Sequence, residues 1–311
     1  MASSPAPLSG GLMIHPPRRS SVGDVSYMEW GSGGGGDIAL CRGRDVNLYW
    51  SVAPPPREYL NMLNFGIYVS LSLMNLLMDQ KQRYAQWVDK VSRFLEETGP
   101  TLGNGGRCCS VFQSKPVLEG QPDVLFLGYN AQEDYGYVPL SKDRFWDGNP
   151  SFYAERMKWR IWSKPYHALA FADYTKPMED GNFVFMNAVY FGSKTIKQLE
   201  QLPNAKPAIA QCLEFTKEVI HDVFKPKAIV CFSVADGFDA LNTSFGFESV
   251  ISFCPSRILP DGTKLECKWE LKLGIWNGIP VIGMPHPSAR GISNDDWGTI
   301  AYALKDLLYR K

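Results

Sequence analysis

Asp123-Val-Leu-Phe-Leu-Gly128 is the stretch from which the rest of the chain can be read. Its unbroken apolar run is too short for a helix and is closed by glycine. That is the signature of a strand buried on both faces, where side chains need not alternate between core and water. Three further runs repeat the pattern: Phe183-Val-Phe-Met-Asn-Ala-Val189, Ala228-Ile-Val-Cys-Phe232 and Ile279-Pro-Val-Ile-Gly283. The proline of the last favours a strand start. Between the second and third runs, Pro207–Phe224 sets Ile209, Leu213, Val219, Ile220 and Val223 on one stripe, with proline in the first turn of a helix. Beyond the fourth, Ser293 or Asn294 caps a last helix. Asp295 and Asp296 fall in its first turn, and Trp297, Ile300, Ala301, Leu304 and Leu308 face inward. Strands alternating with helices predict a three-layer α/β/α sandwich around a mostly parallel central sheet. Phe247–Phe253 and Cys267–Trp276 read as a further strand or hairpin insertion.

Upstream of Asp123 the pattern changes. A helical region is predicted from about Glu58 to Thr98, with Tyr84, Trp87, Val88, Val91, Phe94 and Leu95 at helical spacing. Gly99-Pro100 stops it. Residues 1–36 are rich in Pro, Ser and Gly and end in Gly33–Gly36, which predicts a flexible leader or a long surface loop. Pro54-Pro55-Pro56 closes the mixed stretch beyond them. The expected organisation is an N-terminal extension over 1–57 and one α/β domain over 58–311.

The chain has 311 residues, 45 % of them hydrophobic, which is ample for a packed core and excludes global disorder. Its 32 basic and 32 acidic residues balance, which excludes a polycationic binder but not a local basic groove. The seven cysteines show no two-residue spacing of a zinc or redox motif, so no metal and no iron–sulfur cluster are expected. Buried free thiols suit a reducing compartment, cytoplasmic or nuclear. Pro5, Pro7, Pro16 and Pro17 interrupt any signal-peptide core, so secretion is not expected. Tyr59–Met78 is uncharged and long enough to span a bilayer, but its three asparagines, glycine and two serines favour a buried helix; no membrane partner is expected.

In an open parallel sheet, ligands bind outside the carboxyl ends of the strands. The segment after each strand is therefore the place to look for chemistry. The first strand leads into Gly128-Tyr-Asn-Ala-Gln-Glu-Asp-Tyr-Gly-Tyr137, dense in polar and aromatic groups. The second holds Asn187 near its end. The fourth leads into Met284-Pro-His-Pro-Ser-Ala-Arg290. Two asparagines and a histidine thus gather at three strand ends.

Three of these signatures, in this order, resemble the uracil-DNA glycosylase superfamily: Leu125-Phe-Leu-Gly-Tyr-Asn130, Met186-Asn-Ala-Val189 and His286-Pro-Ser-Ala-Arg290. Together they organise roughly residues 80–311, and the arginine of the last is most similar to the single-strand-selective monofunctional branch. The resemblance implies hydrolysis of the bond between an extruded base and deoxyribose, leaving an abasic site without any cofactor. The partner would be DNA, single- or double-stranded, and the protein a monomer. Gly128, Tyr129 and Asn130 would form the water-positioning loop. Asn187 would read the base edge, since a buried amide both donates and accepts. His286 would donate to the departing base, where negative charge develops. Pro287, Ser288 and Arg290 would meet the DNA backbone or groove. Tyr135 or Tyr137 could supply the stacking platform, worth about 1–3 kcal/mol per base. Each residue also has a plain structural alternative: a turn for Asn130, a buried polar network for Asn187, a rigid loop for His286, a solvated loop for Arg290.

The sequence departs from the family in Ala131, where many members carry proline, and in the two carboxylates of Gln132-Glu133-Asp134. Asp134 is a reserve catalyst. Lys142–Lys164 interleaves six basic residues with six aromatic ones, which suits either a strand-tracking surface or an amphipathic helix. Positive charge is expected to concentrate there and around Arg290. Uracil is the default base. A modified pyrimidine, as in phage DNA attacked by a defence factor, stays open, as do a catalytically inactive nucleic-acid-binding or protein-interaction module and a hydrolase of free nucleosides.

Overall fold

The computed structural model describes residues 29–31, 38–40, 50–51 and 80–309. The chain divides into two compact units, Met1–Ser70 and Leu71–Lys311. In the first, strands β1 (Glu29–Gly31), β2 (Ile38–Leu40) and β3 (Trp50–Ser51) form an antiparallel sheet. The rest of 1–57, and the whole of Tyr59–Met78, lie outside the described residues.

The second unit opens with helix α1 (80–98), which passes through a 3₁₀ turn at Gly99–Thr101 where Pro100 ends it. Strand β4 (Val124–Gly128) comes next, then the short helices α2 (Asp143–Asp147) and α3 (Pro150–Glu155), α4 (Arg160–Phe171) and α5 (Lys176–Glu179). After β5 (Phe183–Asn187) come α6 (Ile196–Glu200) and α7 (Ala205–Glu218), the latter widening into a π turn at Val219–Phe224. Strand β6 (Ile229–Phe232) leads through a second π turn, Val234–Asp239, into α8 (Ala240–Phe245). The chain ends in β7 (Glu248–Phe253), the hairpin β8 (Ser256–Ile258) and β9 (Lys264–Glu266), β10 (Leu271–Trp276), β11 (Ile279–Met284) and α9 (Asn294–Tyr309).

The six-stranded sheet runs β5-β4-β6-β11-β10-β7. Its first four strands are parallel, and these are the four apolar runs of the sequence. The two segments read as a further strand or hairpin insertion supply two strands, which extend the same sheet antiparallel. A tight turn at Asn277 (φ 50°) and Gly278 (φ 78°) reverses the chain between β10 and β11. Both residues need positive φ there, which is why Asn-Gly sits at the turn.

Alternate residues of each central strand enter separate cores. Leu125, Leu127, Val184, Met186, Ile229 and Cys231 pack with α1 and α7 on one face. Phe126, Phe183, Phe185, Val230 and Phe232 pack with α4 and α9 on the other. The fold is thus mixed α/β with a mostly parallel sheet covered by helices on both faces. Ser293 caps α9: its Oγ accepts the Asp296 N–H at 3.0 Å, and Asp296 Oδ2 accepts the Ser293 N–H at 3.2 Å, satisfying two amides reciprocally.

Candidate active site

Because β5, β4, β6 and β11 are parallel neighbours, their carboxyl ends lie along one edge of the sheet, where three of them carry Asn187, Asn130 and His286. Asn187 ends β5 and is 4 % exposed. Its Nδ2 donates to the Ser110 carbonyl at 3.1 Å, which fixes the amide orientation because a carbonyl can only accept. Its Oδ1 faces Gly128, at 3.1 Å from where a Cβ on that glycine would lie. Any larger residue at 128 would press on the asparagine. Behind it a buried polar chain continues from Ser110 Oγ to Gln113 (2.9 Å) and on to Asn149 (3.0 Å).

Asn130 sits just past the end of β4, half-buried. Its Nδ2 donates to Ser193 Oγ at 2.9 Å and to the Phe191 and Ala131 carbonyls at 3.3 Å. With the nitrogen so engaged, Oδ1 carries no hydrogen bond among the described residues and is available to hold a water. Backbone bonds lace this loop to the one after β5: Ala188 N–H to Gly128 O, Val189 N–H to Tyr129 O, and Ser193 N–H to Ala131 O. These bonds hold the loop across Ala131.

His286 lies just past β11 between two buried prolines and is itself half-buried. Its Nδ1 accepts the Ser288 N–H at 3.1 Å. That bond requires an unprotonated Nδ1, so the proton of the neutral ring is on Nε2, which becomes a donor. Burial holds the imidazole below its ordinary value of 6.5, while the charge of Asp236 opposes that shift. A neutral N–H donor results. Ser288 is half-buried and Arg290 exposed on the same loop, with Pro287 buried between His286 and Ser288.

The remaining candidates are placed less centrally. Asp134 is ion-paired to Arg107 and to Lys194, and their charges hold its carboxyl below the usual range. A carboxylate stabilised in this way is a weaker base. The Tyr135 hydroxyl donates to Glu133 at 2.8 Å, and the ring is 52 % exposed, open to a stacking partner. Tyr137 instead packs on Gly99 with its ring and on Gly106 with its Cβ, filling the space a side chain would need. Tyr129 packs against the core, and burial pushes its phenol up to about 12.

Lys142–Lys164 is not one surface. Phe145, Phe152 and Trp162 are core residues, Lys142 pairs with Asp89 and Lys158 with Glu155, and Arg156 lines a cavity of about 1010 Å³ with Gly181 and Phe183 at the opposite end of β5. Those three aromatics mark packing, whereas Tyr153 of the same segment is exposed. Among the described residues no group of three His, Cys, Asp or Glu side chains is arranged to hold a metal, and no helix is long and apolar enough to cross a membrane.

Ser110, Gln113, Ser193 and Asp236 lie outside the motifs that single out the other site residues. The Ser233–Asp236 turn does have a sequence signal, its place directly after the third apolar run, at a strand end equivalent to the other three. Ser110 and Gln113 lie in an irregular segment and carry no comparable signal. No protein-family model matches this chain, and no curated protein matches it.

Proposed function

We propose that this protein is a monofunctional DNA glycosylase of the uracil-DNA glycosylase type, hydrolysing the bond between an extruded base and its deoxyribose. The observation that carries this reading is the state of His286. It is a neutral imidazole whose tautomer is set by the Ser288 amide, at the end of a sheet whose neighbouring strands present two oriented asparagines. Glycosidic cleavage puts negative charge on the departing base, and a pre-oriented neutral donor lowers that barrier without prior proton transfer. Asn187, its Nδ2 turned to Ser110, presents an acceptor oxygen, which suits a ring N–H on the edge of a uracil-like base. Asn130 holds the attacking water. Tyr135 stacks on the extruded base, and Ser288 and Arg290 contact the strand that carries it. Extrusion costs a few kcal/mol and is cheapest from a single strand or a mismatch.

The test is incubation with oligonucleotides carrying uracil or modified pyrimidines, single- and double-stranded, then alkali to break abasic sites. Cleavage at the modified position is expected. Failure on every substrate would overturn the reading, and cleavage of free nucleosides alone would replace it with a nucleoside hydrolase.

A further inference from the structure

Hydrolysis of a glycosidic bond develops two charges, and His286 answers only the negative one. The sugar becomes cationic, and the attacking water must lose a proton. Asn130 is neutral and cannot take one. The nearby acids of the first loop are already committed, Asp134 to Arg107 and Lys194, and Glu133 to the Tyr135 hydroxyl.

Strand β6 lies between β4 and β11, so the turn at its carboxyl end sits between Asn130 and His286. In the β6–β11 register Phe232 stands opposite Met284, which brings the turn beginning at Ser233 alongside the chain leading to His286. That turn is tightly made. Ser233 takes φ 80°, and a Cβ on Gly237 would lie 2.3 Å from the Phe232 carbonyl. The helical turn is riveted to the sheet at two points. The Phe238 side chain covers Gly283, its ring within 2.8 Å of a hypothetical Cβ, and Asp239 pairs with Lys272 of β10 at 2.8 Å. Ser233 Oγ caps it by accepting the Asp236 N–H at 3.1 Å. Asp236 is therefore in the first turn, where side chains lean back toward the amino end and thus toward the strand-end face. Its carboxylate makes no hydrogen bond or ion pair among the described residues.

We propose that Asp236 is a catalytic residue of this site, the carboxylate that faces the sugar cation and takes the proton of the attacking water. This rests on the glycosylase reading. The C1′–N bond breaks with its electron pair on the base, and the water oxygen bonds C1′ as its proton passes to Asp236. That proton then reaches the base anion through solvent. One water is consumed, and one free base and one abasic sugar are formed. The charge of Asp236 also acts on His286, opposing the effect of burial.

The experiment uses the full chain and a single-stranded uracil oligonucleotide under single-turnover conditions. Asp236→Asn is expected to slow cleavage by about 10²-fold or more. Oligonucleotide affinity should be unchanged or tighter, because an anion facing phosphates has been removed. Asp236→Glu should recover part of the rate. The acid limb of the pH profile should move to lower pH in Asp236→Asn, since the charge that raises the His286 pKa is gone. A rate within about threefold of wild type would overturn the proposal, as would joint loss of rate, affinity and melting temperature. If wild type cleaves no DNA substrate, the glycosylase reading fails and this assignment falls with it; if wild type cleaves and Asp236→Asn cleaves within about threefold of its rate, only the assignment fails.

Discussion

Every residue of β4 and β5 is buried, whereas in β7, the outermost strand of the same sheet, five of six residues are exposed. The parallel half is roofed by helices on both faces because each crossover between parallel strands must lay a helix over the sheet. The antiparallel edge needs only the Asn277-Gly278 turn to join β10 to β11, so that connection lays no helix over it. The candidate site belongs to the roofed half. A rigid buried strand is what can hold an asparagine or a histidine at its end to within the tolerance that catalysis needs.

Substitutions in the two halves should separate them, beginning where the effect is largest. Phe185→Ala, in a site 1 % exposed and ringed by Phe152, Trp162 and Phe232, should cost about 3–5 kcal/mol in urea unfolding. His286→Ala should lower the cleavage rate by about 10²–10³-fold while leaving the melting temperature nearly unchanged, since among the described residues its ring bonds only its own loop. The wild-type pH profile bears on the same point. Burial favours the neutral ring, so the active form should persist as pH falls through 6.5 and be lost only below it. An acid limb centred above that value would contradict the arrangement. Gly128→Ala places a methyl 3.1 Å from Asn187 Oδ1 and should reduce kcat/KM roughly tenfold through displacement of that amide. At the other end of the scale, Ile251→Thr on β7, 55 % exposed, should change stability by less than about 0.5 kcal/mol. If it cost as much as Phe185→Ala, the two halves would not differ as described.

The parallel strands were legible because burial on both faces leaves a local imprint, an unbroken apolar run. The last helix was legible through Ser293 and its acidic first turn. The antiparallel pair was less so. Glu248-Ser-Val-Ile-Ser-Phe253 has the composition of a strand, but its partner is set by a turn and a register. The aromatic residues of Lys142–Lys164 were ambiguous for a related reason: Trp162 in the core and Tyr153 at the surface look alike in sequence, and only packing separates them.

The site divides along the same line. Sequence alone determined that Asn130, Asn187 and His286 stand at strand ends, because strand ends are marked by local chemistry. It could not decide how each is used. The amide of Asn187 is oriented by Ser110, 77 positions away, and that of Asn130 by Ser193, 63 positions away. Asp134 is paired with Arg107, 27 positions away, while Asp236 keeps its carboxylate unpaired among the described residues. Hydrogen-bond orientation and charge pairing depend on distance in space, and the fold brings those partners together without any signal at the residues themselves.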